Sequence, residues 1–207
     1  MELYIIRHGE TDWNKEKRLQ GRSDTELNEY GRELARITSE ALKDVHFDCI
    51  YSSPLKRAYE TATILKRDRN VEIVTDDRLL EISFGAMEGV PMKDRPKDFQ
   101  KFFTDPANYL APEGGESYEE LVARTGNFIE EIVVPNSYKW DRMLIVAHGA
   151  LNKALMLNLN HDEIKNFWEG IFQRNCCVNI FEINGKDFKM LENGLIFYEE
   201  QEGKRYK

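Results

Sequence analysis

The chain has 207 residues, 41% hydrophobic and 11% aromatic, which is enough for one well-filled core and excludes a disordered protein. Lysine and arginine total 29 against 37 acids, a formal net charge of −8, so general affinity for nucleic acid or anionic membrane is excluded and any anion site must be a local cluster of positive charge. No apolar run approaches the ~20 residues of a membrane span. Glu2 is followed at once by strand residues, which leaves no signal peptide, and a cytoplasmic protein is expected.

Residues 2–6 form a predicted buried strand that runs straight into Arg7-His8-Gly9. The polar stretch from Arg7 to about Thr25 is a long loop of the kind that carries function. Asn28 is the expected N-cap of a helix reaching about Asp44. Residues 47–51 are a second strand. Ser53 and Pro54 then read as the N-cap and first position of a helix that carries Arg57, Glu60 and Thr61. Val71–Val74 is a short strand, and Arg78–Gly85 is a turn-rich approach to another loop.

Residues 86–116 change character, with prolines and basic residues alternating with aromatics, and we expect a small helical lid there. Lys93, Arg95, Lys97 and the lid aromatics suggest an anionic or ring-bearing leaving group, or simply a solvated basic face. Ser117-Tyr118-Glu119-Glu120 is a capping box for a helix running towards Val134. Residues 142–147 form a strand that again ends in His-Gly, at His148-Gly149, before a helix over 150–158. A further amphipathic helix is expected at 162–171, then strands at 177–183 and 188–191 joined by an Asn184-Gly185 turn, and a loose charged tail from Glu199. Strands alternating with helices imply a mostly parallel α/β sheet. Cys49, Cys176 and Cys177 are odd in number and lack C-x-x-C spacing, which points to reduced core thiols and not to a disulfide framework or zinc site.

The chain has four histidines, and two of them share the strand-His-Gly context. Parallel sheets bind ligands beyond the carboxyl ends of their strands, so His8 and His148 are expected to face one crevice. Arg7, Arg57 and the helix N-terminus at Gly149 all favour anions, and guanidinium groups match phosphate geometry. A phosphoryl group is therefore the expected target. A neutral imidazole can attack phosphorus and hold it covalently. Glu81, in an apolar-flanked loop, is the candidate proton donor for the leaving alkoxide. A metal site built from His8, His148 and Glu81 is the competing reading. Arg7 would repel the cation, so no metal and no cofactor is expected. His46 and His161 are expected to be exposed or capping residues.

Arg7-His8-Gly9-Glu10-Thr11-x-Trp13-Asn14, Gln20-Gly21, Ser52 through Ala62, Leu80-Glu81-x-x-Phe84-Gly85-x-x-Glu88-Gly89 and His148-Gly149 together resemble the signatures of the histidine phosphatase (phosphoglycerate mutase-like) superfamily over nearly the whole chain. One departure is Thr25-Glu26-Leu27, where relatives often carry Pro-Leu. The resemblance implies a three-layer α/β/α sandwich as one domain over residues 1–207. It implies His8 as the phosphorylated nucleophile and Glu81 as the proton donor. Arg7, Asn14, Gln20, Gly21, Arg57, His148 and Gly149 would surround the phosphate and substrate.

The acid loop Glu81–Gly89 and the absence of an Arg-Arg pair resemble the phosphatase branch, with its α-ribazole and broad-specificity phosphatases. The expected activity is metal-independent hydrolysis of a small phosphate ester. A phosphoglycerate mutase and a catalytically weak binding scaffold are the alternatives. No nucleic-acid or membrane partner is expected. The C-terminal strand is an edge able to pair with a second copy, though no motif calls for one.

Overall fold

The computed structural model describes residues 1–199; the rest of the charged tail lies outside them. Among the described residues no helix is long and apolar enough to cross a membrane. The frame is a six-stranded sheet in the order β3-β2-β4-β1-β5-β6. Its strands are β1 (Glu2–Arg7), β2 (Cys49–Ser52), β3 (Ile73–Thr75), β4 (Arg142–Ala147), β5 (Val178–Asn184) and β6 (Asp187–Leu195). The first four by position, β3, β2, β4 and β1, run parallel. β5 pairs antiparallel with β1, and the hairpin partner β6 closes that edge. The Asn184-Gly185 turn sits where the sequence places it, with Gly185 at φ 60°.

The apolar runs of β1 and β4 are continuous because both faces of these strands are covered. Leu3, Ile5, Met143, Ile145 and Ala147 join Phe128, Leu151 and Leu155 in one core cluster. That face is covered by α5 (Tyr118–Phe128) and α7 (Gly149–Leu159). Tyr4, Ile6, Leu144, Val146 and Ile50 join Leu42, Ala62 and Leu65 on the other face. That face is covered by α2 (Glu29–Ala41) and α3 (Lys56–Lys66). The result is the expected three-layer α/β/α arrangement. Two short helices are α1 (Asp12–Lys15), capped by Thr11, and α4 (Lys101–Thr104) in the lid. After α5 the helix widens through a π-turn at Ile129–Val133 into α6 (Val134–Asn136).

Asn28 and Ser117 cap their helices as expected, Ser117 within a reciprocal capping box with Glu120. Ser117→Ala is expected to lower stability by about 1 kcal/mol, read as a shift of the urea midpoint at constant slope. The close approach of the first loop to α2 requires Gly31: a Cβ there would stand 2.1 Å from the Glu10 carbonyl oxygen.

Three local expectations change. The helix after β2 begins at Lys56, with Leu55 at its N-cap position and no side-chain cap. Ser53 is instead drawn to His148, as described below. The amphipathic helix over 162–171 is a single 3₁₀ turn at Ile164–Asn166 followed by a turn and a bend, because Phe167 and Trp168 turn in to pack on Tyr118 and the lid aromatics. The last strand runs from Asp187 to Leu195, longer than the apolar residues alone suggest.

In the lid region, 3₁₀ turns outnumber α-helix. Phe99, Phe102 and Tyr109 are buried and stack with Phe84, Tyr118 and Trp168. They are the lid's own core, so they are not available to hold a ring-bearing leaving group.

Candidate active site

Parallel pairing of β1 and β4 sets Arg7 opposite Ala147. The two strands therefore release their histidines at the same level. The His8 N–H donates to the Ala147 carbonyl at 2.9 Å, and the two imidazole centroids lie 5.2 Å apart. Both rings are buried.

His8 Nδ1 lies 2.6 Å from the Gly9 carbonyl oxygen. A carbonyl only accepts, so Nδ1 carries the hydrogen and Nε2 presents its lone pair. Gly9 is itself held, its N–H donating to Thr61 Oγ1 at 3.0 Å. His148 Nε2 lies 2.7 Å from Ser53 Oγ, and its Nδ1 is buried with no partner among the described residues. Burial foremost, then the charges of Arg57 and Arg7, pushes the His8 pKa well below its ordinary 6.5. Burial and Arg57 lead the same effect on His148.

Arg57 is fully buried on the first turn of α3. Its Nη2 donates to the Gly21 carbonyl at 2.7 Å and its Nη1 to the Ser23 carbonyl at 2.7 Å. Burial brings its pKa down to about 10, which still leaves a cation at neutral pH. Arg7 Nη1 donates to the Gln173 carbonyl at 2.5 Å. The Nε atoms of both arginines are buried without a partner among the described residues. An unpaired buried donor costs about 1–3 kcal/mol, so donors left open around one histidine mark a place prepared for acceptor oxygens.

Glu81 reaches the head of α7. Its Oε1 accepts the N–H groups of Leu151 at 2.9 Å and Ile82 at 3.0 Å, and its Oε2 accepts that of Ala150 at 3.2 Å. Glu81 Oε2 and Arg7 Nε each lie 3.7 Å from the point a Cβ on Gly149 would occupy. The Glu81 carboxyl and the Arg7 guanidinium thus both border the first residue of α7. Arg124 and Arg22 both donate to the Glu81 carbonyl, at 3.2 and 3.3 Å, and both pair with Glu116. The acid loop is clamped from behind.

The loop after β1 supplies the remaining wall. Asn14 Oδ1 accepts from the Thr11 N–H at 3.1 Å, so its NH₂ group is the end left open. Gln20 Oε1 takes the hydroxyls of Thr11 at 2.9 Å and Thr25 at 2.7 Å. Gln20 therefore braces the loop. Thr25, the departure noted above, joins Gln20 to the Arg57 network. Gly21 has φ +54°, and a Cβ there would stand 2.2 Å from Glu88 Oε1, so a side chain at this position would be strained and would displace Glu88. His46 and His161 are exposed and away from this cluster, and all three cysteines are buried and free.

The two buried histidines have a consequence for stability. With folded pKa values well below 6.5, they stay neutral in the native chain while the unfolded chain takes up protons. Stability is then lost as pH falls below about 6.5, by up to about 1.4 kcal/mol per pH unit for each histidine. Urea midpoints at pH 7 and pH 5.5 measure this, and a midpoint unchanged or higher at pH 5.5 would contradict it.

A family model described as the histidine phosphatase superfamily (branch 1) matches residues 3–194. The chain belongs to the histidine phosphatase superfamily. Phosphoserine phosphatase 1 of Hydrogenobacter thermophilus is 32% identical over 81% of this chain and 80% of its own length. A 2,3-bisphosphoglycerate-dependent phosphoglycerate mutase of Parvibaculum lavamentivorans is 31% identical over 76% of this chain and 79% of its own. Among solved structures, Bacillus stearothermophilus YhfR superposes with a TM-score of 0.86 at 33% identity, covering 93% of this chain and 96% of that one. The α-ribazole phosphatase of Shigella flexneri gives 0.84 at 26% identity, covering 94% and 96%. This membership supports a phosphatase or phosphotransferase enzyme.

Sequence reasoning missed several residues that build the site. Ser53 was assigned to a helix cap, yet it meets His148. Arg22, Glu116 and Arg124 hold the acid loop from three separate stretches of chain. Ser53 lies within the Ser52–Ala62 signature, Arg22 in the polar loop after the first strand and Glu116 in the Pro112–Ser117 stretch, but none of these patterns shows its partner. Arg124 reaches the Glu81 carbonyl across a distance in sequence that no local pattern records.

Proposed function

We propose that this histidine phosphatase superfamily member hydrolyses small phosphate monoesters through a phosphohistidine formed on His8, without a metal. One observation carries the reading: His8 Nε2 presents a lone pair beside the open Nε donors of Arg7 and Arg57 and the unpartnered Nδ1 of His148. In the reaction, Nε2 attacks phosphorus and the ester P–O bond breaks. The leaving alkoxide takes a proton from Glu81. Oε2 is the oxygen suited to carry that proton, since it accepts one N–H where Oε1 accepts two. Water then attacks the phosphohistidine and returns its proton to Glu81, and phosphate departs. The two guanidinium groups and the open amide of Asn14 neutralise and orient the transferring oxygens, the task a metal performs elsewhere.

A second reading, transfer back to the departing molecule as in a phosphoglycerate mutase, has support in the mutase relative. Three buried free thiols support a reducing, cytoplasmic setting.

The test is phosphate release, with EDTA present, from p-nitrophenyl phosphate, 3-phosphoglycerate, phosphoserine, sugar phosphates and nucleoside monophosphates. Turnover of at least one of them supports the hydrolase. Conversion of 3- to 2-phosphoglycerate with little phosphate released replaces it by the mutase. Because His8 stays neutral well below pH 6.5, kcat/KM is expected to hold as pH falls through 6.5 and to decline only at more acidic pH. An acid limb centred at or above pH 6.5 would show that His8 is not the group titrating.

A further inference from the structure

Before its last two strands the chain crosses the exit of β1 as a strap, residues 173–177. Two anchors are on Arg7: the Cys176 N–H donates to its carbonyl at 3.0 Å, and its own N–H donates to the Cys177 carbonyl at 3.3 Å. A third is its guanidinium on the Gln173 carbonyl. Cys176 has φ 56°, and this left-handed turn aims its N–H back at β1.

Between these anchors sits Asn175, 4% exposed. Its Nδ2 donates to the His8 carbonyl at 2.9 Å and to Asn14 Oδ1 at 3.4 Å. Its own carbonyl is held by the Tyr198 hydroxyl at 2.6 Å. The second contact joins the Thr11 N–H and hydroxyl, at 3.1 and 3.2 Å, in holding the Asn14 oxygen. With the Thr11 N–H also on Oδ1, the oxygen of Asn14 points towards the loop and its NH₂ group is turned away from it.

We propose that Asn175 is a positioning residue for phosphoryl transfer. One amide group sets the nucleophile's backbone and joins Thr11 in fixing the orientation of Asn14, so that His8 Nε2 and the Asn14 NH₂ address the same phosphoryl group. This rests on the phosphohistidine reading above.

The test uses the full chain with Asn175→Asp, Asn175→Ala, Asn14→Ala and the double variant Asn14→Ala/Asn175→Asp. Asn175→Asp keeps the shape but turns an acceptor towards the His8 carbonyl and Asn14 Oδ1. It is expected to lower kcat on the order of 100-fold with KM little changed, because misplacement of about 1 Å costs that much. If Asn175 acts through Asn14, adding Asn175→Asp to Asn14→Ala costs far less than it costs the wild type. A residue that merely supports the fold gives multiplicative losses instead. Such losses, or a kcat within twofold of wild type, overturn the proposal. So does loss of cooperative unfolding in both Asn175 variants, which would make the residue purely structural.

If the wild type shows no His8-dependent turnover, the phosphohistidine reading fails by itself, and titration with inorganic phosphate decides the positioning role. Weaker phosphate binding by a folded Asn175→Asp upholds it, and unchanged binding overturns it.

Discussion

His8→Ala is expected to lower kcat by at least about 10⁴-fold on every phosphomonoester that the wild type turns over, the scale seen when a covalent nucleophile is removed. No neighbouring group can take its place. His148 is 5.2 Å away by ring centroid, and its Nε2 is engaged with Ser53. Glu81 is held by the N–H groups of Ala150 and Leu151 at the head of α7 and by that of Ile82. The fold is expected to survive, since the lost side chain makes one hydrogen bond, to the next residue's carbonyl. Mixing wild type with substrate and quenching in alkali should trap an acid-labile phosphoenzyme that His8→Ala lacks. Equal phosphoenzyme in both proteins would move the covalent step to another residue.

Arg57→Ala is the second large effect, expected to lower kcat/KM by about 10³–10⁵-fold, as for arginines that neutralise a transferring phosphoryl group. Its origin is double. The variant removes a buried cation beside His8, and it frees the Gly21 and Ser23 carbonyls that the guanidinium holds. Those carbonyls place the loop containing Gln20 and Gly21, so part of the loss is positional.

Arg57→Lys separates the two causes. It retains a charge but cannot span both carbonyls and a phosphoryl oxygen at once. A loss of about 100-fold in kcat/KM with a smaller drop in stability is expected. Activity of Arg57→Lys equal to wild type would show that a point charge suffices there. Unchanged stability of Arg57→Ala, read by urea unfolding, would show that the carbonyl contacts contribute nothing.

What the sequence determined by itself is the set of candidate groups gathered at the site and the general frame. The apolar runs at Leu3–Ile6 and Met143–Ala147 specify buried strands, because a strand covered on both faces needs no polar alternation. Each ends in His-Gly, and this shared ending was enough to place His8 and His148 in one crevice. Asn28 and Ser117 announced their helices because capping is a contact between near neighbours.

Tertiary structure decided the rest. A residue such as Ser53 has a local use as a cap and a distant use on His148, and burial of the imidazole selects the distant one. The expected helix over 162–171 yields to the lid aromatics, whose burial outweighs the weak preference of a short helix. The tautomer of His8, the facing of Asn14 and the clamp on the acid loop likewise depend on the folded chain. Each draws on a hydrogen bond whose partner must first be brought to the site: Gly9 across its own turn, Asn175 from 161 residues away in sequence beside the local Thr11, and Arg124 from 43.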